Sequence, residues 1–237
     1  QYPLASEEIT VAEVLKKGGY ATGAFGKWGL GYPGSEGDPT KQGFDEFFGY
    51  NCQRVAHNYY PTHLWDNLIK TPLKGNDGKT KATYAPFIIH EKALSFIEKN
   101  RARPFFMYYP SVIPHAELAA PEKYMKKFRG KYMPEKKYFK RNSSSHSKGS
   151  PESINKYHVG GYNSQKESHA AFAAMVHLLD EQVGQIIDKV HELGIAEKTL
   201  IIFSSDNGPH LEGGADPDYF GSNGPLRGYK RDLYEGG

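Results

Sequence analysis

Cysteine is nearly absent: Cys52 is the single one in 237 residues. That excludes an internal disulfide framework and any cysteine-rich zinc site. No run approaches the ~18 apolar residues that a membrane-spanning helix needs, and no internal repeat is visible. Neither sign of charge dominates. The 30 basic and 27 acidic residues leave a net +3 at pH 7, too mild a balance to imply a nucleic-acid partner. There is no initiating Met at Gln1 and no signal-peptide pattern, and the chain stops on Tyr234-Glu-Gly-Gly237. Both ends are expected to be cut, so the residues themselves name no compartment. What remains is 38% hydrophobic and 14% aromatic, long enough to bury a substantial core, and one α/β domain is the natural expectation.

Thr10-Val-Ala-Glu13 matches a capping box before a short helix stopped by Gly18-Gly19. Tyr20 to Phe25 reads as a strand entering the glycine-rich turn GKWGLG, and residues 31–72 read mostly as loop. Ala85 to Asn100 has the spacing of a helix, and Pro104 to Tyr109 that of a second buried strand. Lys166 to Leu193 is the longest helix, ended by Gly194. Thr199 to Phe203 reads as a third buried strand. This alternation predicts a largely parallel sheet flanked by helices. Residues at about 123–156 are rich in Lys and Arg and poor in apolar side chains, and are expected to be a basic, loop-rich surface insertion. Within it, Asn142-Ser-Ser144 is a glycosylation sequon of the kind that short polar stretches produce by chance.

Two nucleotide-binding patterns fail on context. Gly29-x-Gly31-x-x-Gly34 has the dinucleotide spacing, but Pro33 interrupts it and no helix follows. Gly26-Lys27 resembles the end of a phosphate loop, yet Trp28 stands where a Ser or Thr would hold magnesium. The Asp206-Asn207 pair has two readings: ordinary turn chemistry, or a pair of hard oxygen ligands at the carboxyl edge of a sheet. Lys27, His115, the Asp206-Asn207 pair and Lys230 each follow a predicted strand or a glycine-rich stretch. A cation, two ammonium groups and an imidazole at one edge would suit a tetrahedral oxyanion such as sulfate or phosphate.

The segments GYATGAFGKWGLG, KQGFDEFFGY, PSVIPHAELAAPEKY, FSSDNGP and LRGYKRDLYEGG together resemble the sulfatases of the alkaline phosphatase superfamily, and they cover nearly the whole chain. The likeness is greatest to the arylsulfatase-like enzymes that bacteria use on sulfated glycans. It implies an alkaline-phosphatase-like α/β fold, incomplete at both ends, over residues 1–237. It also implies Asp206 and Asn207 as ligands to a divalent cation, Ca2+ rather than Mg2+. Lys27, His115 and Lys230 become sulfate contacts with catalytic roles, and His210 a further substrate contact. The partners implied are a sulfated glycan or a small sulfate ester, and the location implied is periplasmic or secreted.

The chain departs from the family in two ways. Gly29 stands where G-K-W-H-L-G would have its histidine. The C/S-x-P-x-R segment whose Cys or Ser becomes formylglycine is missing, as are two early acidic metal ligands. Both are expected upstream of Gln1, with a closing region lost beyond Gly237. The resemblance implies that hydrated formylglycine attacks sulfur, releases the alcohol and then eliminates sulfate. The 237-residue chain alone is expected to bind calcium weakly and to turn over no sulfate ester. Two rivals stand beside this reading: a phosphate or phosphonate ester hydrolase on the same scaffold, and a non-catalytic module that binds sulfated glycan through the basic insertion.

Overall fold

In the computed structural model, residues 2–139 and 162–237 are described. They fall into two compact units. One comprises 2–112 and 182–199, the other 113–139, 162–181 and 200–237.

The first unit is an α/β sheet layer. Its sheet has the order β4-β3-β2-β1-β5, with β1 Ala21–Lys27, β2 Glu46–Tyr50, β3 His63–Asp66, β4 Ile69–Pro72 and β5 Phe105–Tyr108. β1 pairs in parallel with both β2 and β5, whereas β3 pairs antiparallel with β2 and β4. The sheet is therefore mixed: the parallel expectation holds for β2, β1 and the edge strand β5, and the β3–β4 hairpin extends the sheet on the other side. Residues 31–72 are not mostly loop. β2 and the hairpin lie within them, and in β2 Gly49 interrupts the apolar pattern that marks a strand.

β1 is buried on both faces. Phe25 packs on Phe96 of helix α2 (Ala85–Asn100) with ring centroids 5.3 Å apart, while Ala24 joins Ala12, Phe44 and Phe47. Helix α1 (Val11–Lys17) starts at the complete capping box of Thr10 and Glu13, where the Glu13 carboxylate accepts from the Thr10 amide at 2.9 Å. The end of β1 is held tightly. Lys27 N–H donates to the Pro110 carbonyl at 3.0 Å and Trp28 N–H to that of Tyr50 at 2.9 Å. Gly26 has φ 143°, and a Cβ there would lie 2.1 Å from the Pro110 oxygen. Only glycine fits, and this close approach is what fixes the backbone of Lys27.

The second unit contains helix α3 (Glu122–Phe128), the first part of helix α4 (Ser168–Glu192) and the short α5 (Pro217–Phe220). Residues 182–192 of α4 belong to the sheet unit. Where α4 begins, the Glu135 carboxylate accepts from the amides of His169 (2.9 Å) and Ala170 (3.1 Å). A negative charge there also complements the helix dipole. α3 gives the start of the stretch at 123–156 helical structure rather than loop. The remainder of that stretch from 140, with the sequon, lies outside the described residues.

Residues 199–203 do not form the buried strand that their composition predicts. Leu200, Ile202 and Phe203 are 84%, 80% and 72% exposed, and no ladder pairs them. β-branched content favours an extended backbone, but strand pairing requires a neighbour, and among the described residues this run has none. No helix among the described residues is long and apolar enough to cross a membrane.

Candidate functional site

The second unit brings His115, His210 and Lys230 together from three segments. His115 follows the Ile113-Pro114 pair. His210 closes the loop after Asp206-Asn207, and Lys230 lies in the C-terminal stretch. The last two are tied by backbone. Lys230 N–H donates to the Pro209 carbonyl at 2.9 Å, Gly208 N–H to that of Gly237 at 3.1 Å, and Gly236 N–H to that of Arg227 at 2.8 Å. A Cβ on Gly208 would lie 1.6 Å from the Gly236 oxygen, so this clasp closes only on glycine.

The imidazoles of His115 and His210 stack with centroids 4.9 Å apart and planes 29° from parallel. Their hydrogen bonds assign opposite tautomers. His115 Nδ1 is 2.6 Å from the Ala116 carbonyl oxygen, which only accepts, so Nδ1 carries the proton. Its Nε2 is 3.3 Å from Lys230 Nζ and accepts from the ammonium. In His210, Nδ1 accepts the Glu212 amide proton at 3.2 Å. The proton therefore sits on Nε2, which is buried and makes no well-formed hydrogen bond, the Pro114 carbonyl being a weak acceptor at best. Burial, followed by the nearby His115, holds the His210 pKa down at about 4; Glu212 opposes, Lys230 adds to the depression, and the Pro114 carbonyl opposes least. His210 is thus a neutral donor at ordinary pH. An unmet buried donor costs about 1–3 kcal/mol, and an anionic oxygen would satisfy it.

Three residues that sequence reasoning passed over complete the cluster. Glu212 Oε2 accepts from the Tyr162 hydroxyl at 3.0 Å and lies 3.8 Å from His115 Nε2. Arg231 binds the other oxygen, Oε1. Burial pushes the Glu212 pKa up, but Arg231 and Tyr162, with Lys230 behind them, bring it below the ordinary glutamate value. Burial, then the Glu212 charge, raises the Tyr162 hydroxyl. Glu212 had one legible signal, its position two residues beyond His210 in a loop that already carried candidate residues. Tyr162 had none.

Of the other predicted residues, Asp206 and Asn207 lie in the second unit, in the loop before His210. Asp206 is exposed, and Asn207 spends its amide donor on the Gly208 carbonyl at 3.2 Å. Among the described residues no three His, Cys, Asp or Glu side chains are grouped to hold a metal ion. Asp206 and Asn207 offer the right hard oxygens, but calcium takes about six to eight. The residues present do not by themselves fit that ion. Lys27 belongs to the sheet unit, half-buried at the end of β1.

The sulfatase family model matches residues 2–237. The chain is 27% identical to the N-acetylgalactosamine-6-sulfatase of Mus musculus, over 99% of this chain and 39% of that protein. It is 31% identical to an arylsulfatase of Hemicentrotus pulcherrimus, over 99% of this chain and 37% of that protein. It thus spans about two fifths of the length of these curated relatives. Among solved structures it resembles Ps i-CgsB in complex with k-i-k-neocarrahexaose, with a TM-score of 0.70 and 24% identity over 99% of this chain and 46% of that one, a likeness of fold.

Proposed function

Because the chain belongs to the sulfatase family, we infer that the whole protein hydrolyses sulfuric esters, acting on a sulfated glycan or an aryl sulfate. The observation that carries this reading is the buried, at most weakly satisfied Nε2–H of His210 beside the Lys230 ammonium and the stacked His115. A neutral donor and a cation set together suit oxygens of a tetrahedral anion. Lys230 and His210 hold sulfate oxygens, and His115 Nε2 serves the oxygen of the departing alcohol. Lys27 is assigned to sulfate by its motif. Asp206 and Asn207 are two oxygen ligands of a divalent cation, calcium over magnesium, whose remaining ligands lie outside this chain. Formylglycine, also from outside it, supplies the oxygen nucleophile. A periplasmic or secreted location accompanies this assignment.

The test uses the full-length protein. Peptide mass mapping is expected to find a C-x-P-x-R or S-x-P-x-R peptide carrying formylglycine, and aryl sulfate should be hydrolysed in preference to aryl phosphate. An unmodified Ser or Thr nucleophile with the opposite preference would move the assignment to phosphoryl transfer. On the same reading, the purified 237-residue chain releases no product from aryl sulfate; measurable turnover by it would refute that.

A further inference from the structure

Glu212 is a carboxylate in a place where an anion is to be bound. Alone it would repel a sulfate ester, so its position against His115 calls for a reason. The resting His115 supplies one. Its proton is on Nδ1, held by the Ala116 carbonyl, and its Nε2 shows only a lone pair, accepted onto by Lys230. In that state Nε2 has nothing to donate to a departing oxygen. A second proton must be added, and the Lys230 ammonium, 3.3 Å away, opposes it. His210 stacks on the same ring as a neutral group, and Tyr162 faces it as a hydroxyl. The nearby carboxylate that favours an imidazolium is Glu212, at 3.8 Å, with Arg231 and Tyr162 fixing both its oxygens. Opposite charge at such range stabilises the protonated ring.

We propose that Glu212 is a positioning residue for leaving-group protonation: it holds His115 as an imidazolium whose Nε2–H meets the ester oxygen. The proposal rests on the sulfuric-ester reading above and narrows its substrate class. As the nucleophile's oxygen bonds to sulfur, the bond from sulfur to the alcohol oxygen breaks and its electron pair stays on that oxygen. The oxygen takes the Nε2 proton, the N–H electron pair remains on Nε2, and His115 returns to its Nδ1–H tautomer. A proton from solvent then restores the imidazolium. This device matters little for 4-nitrophenyl sulfate, whose weakly basic nitrophenolate leaves readily, and more for phenyl sulfate. It matters greatly for an alkyl sulfate, whose alkoxide is a strong base. The site is therefore built for sulfated sugar hydroxyls.

The experiment compares full-length wild type, Glu212→Gln and Glu212→Asp on 4-nitrophenyl sulfate and on phenyl sulfate, whose leaving group is the more basic. Glu212→Gln should lower kcat by about 10- to 100-fold on phenyl sulfate but by under ~3-fold on 4-nitrophenyl sulfate. Glu212→Asp should recover part of the difference. Equal losses on both esters, or none on either, overturn the proposal. A parallel NMR titration of the His115 ring, assigned with a His115→Ala sample, should show a lower pKa in Glu212→Gln; an unmoved titration also overturns it. Wild type that hydrolyses neither ester nor a sulfated monosaccharide strikes down the sulfatase reading alone, and the His115 titration then decides on Glu212.

Discussion

In the sheet unit β1 is paired on both sides, Phe25 is 2% exposed, and the polar Thr22 within the strand gives its hydroxyl to the Gly43 carbonyl at 2.6 Å. In the cluster around His115 the accounting is different. A buried imidazole nitrogen makes no well-formed hydrogen bond, and an ammonium donates to a ring nitrogen. Stability favours the first arrangement, and binding needs the second. A group satisfied within the protein has little left to offer a ligand, whereas an unmet donor held by a rigid clasp gains its partner only when the ligand arrives.

That contrast can be broken at either end. The largest effect is expected from Gly26→Val, because a Cβ there would meet the Pro110 oxygen at 2.1 Å and backbone cannot yield as a flexible side chain can. The loss should rival the whole stability of the fold, about 5–15 kcal/mol, and circular dichroism should find no cooperative unfolding transition. Lys230→Ala should do the reverse. In full-length protein kcat/KM for aryl sulfate should fall by about 10²–10³-fold, while the midpoint of urea unfolding barely moves. A variant that loses both together would merge the two regions into one.

A smaller effect is expected from pH. His210 is held neutral by burial and by His115, with a folded pKa of about 4 against 6.5. Between those values the unfolded chain binds the extra proton and the folded one does not. Stability should therefore fall as pH drops from 6.5 towards 4, then level off as far as this group is concerned. Denaturant titrations of wild type and His210→Gln across that window should converge at low pH, since the variant lacks the slope. Smallest of all, Leu200→Ser should change stability by under ~0.5 kcal/mol, because Leu200 is 84% exposed. A cost of several kcal/mol would mean that the full-length protein covers this run.

Much of this architecture was legible in residues. The capping box placed α1, and the helical spacing of apolar residues gave α2 its observed limits, Ala85–Asn100. β2 was not legible, since Glu46-Phe-Phe-Gly-Tyr50 shows no alternation and its glycine is there for the neighbouring Gly26 backbone. Residues 199–203 read as a buried strand because propensity reports what a segment favours, not whether a partner is present. In the site, His115 and Lys230 were legible as polar residues following a predicted strand or a glycine-rich stretch, and His210 only through the family resemblance. Tyr162 and Arg231 were not, and Glu212 only by its place two residues beyond His210. Their roles arise from contacts between segments far apart in the chain, Glu212 meeting His115 while Tyr162 and Arg231 reach its carboxylate, and no local pattern encodes such contacts.

The glycine clasp has a consequence for how this scaffold can vary. Hydrogen bonds at Gly208, Lys230 and Gly236 draw the two ends of one excursion of the chain shut like the neck of a purse. What lies far from the neck, around 221–224, can then lengthen, shorten or change composition without transmitting the change to Lys230, because loop length alters closure entropy only slowly. On the proposed reading, the grip on the anion and the shape that meets the rest of a substrate are separable parts. An insertion of a few Gly and Ser residues at 222–223 should leave hydrolysis of a small aryl sulfate intact while altering which larger esters are accepted.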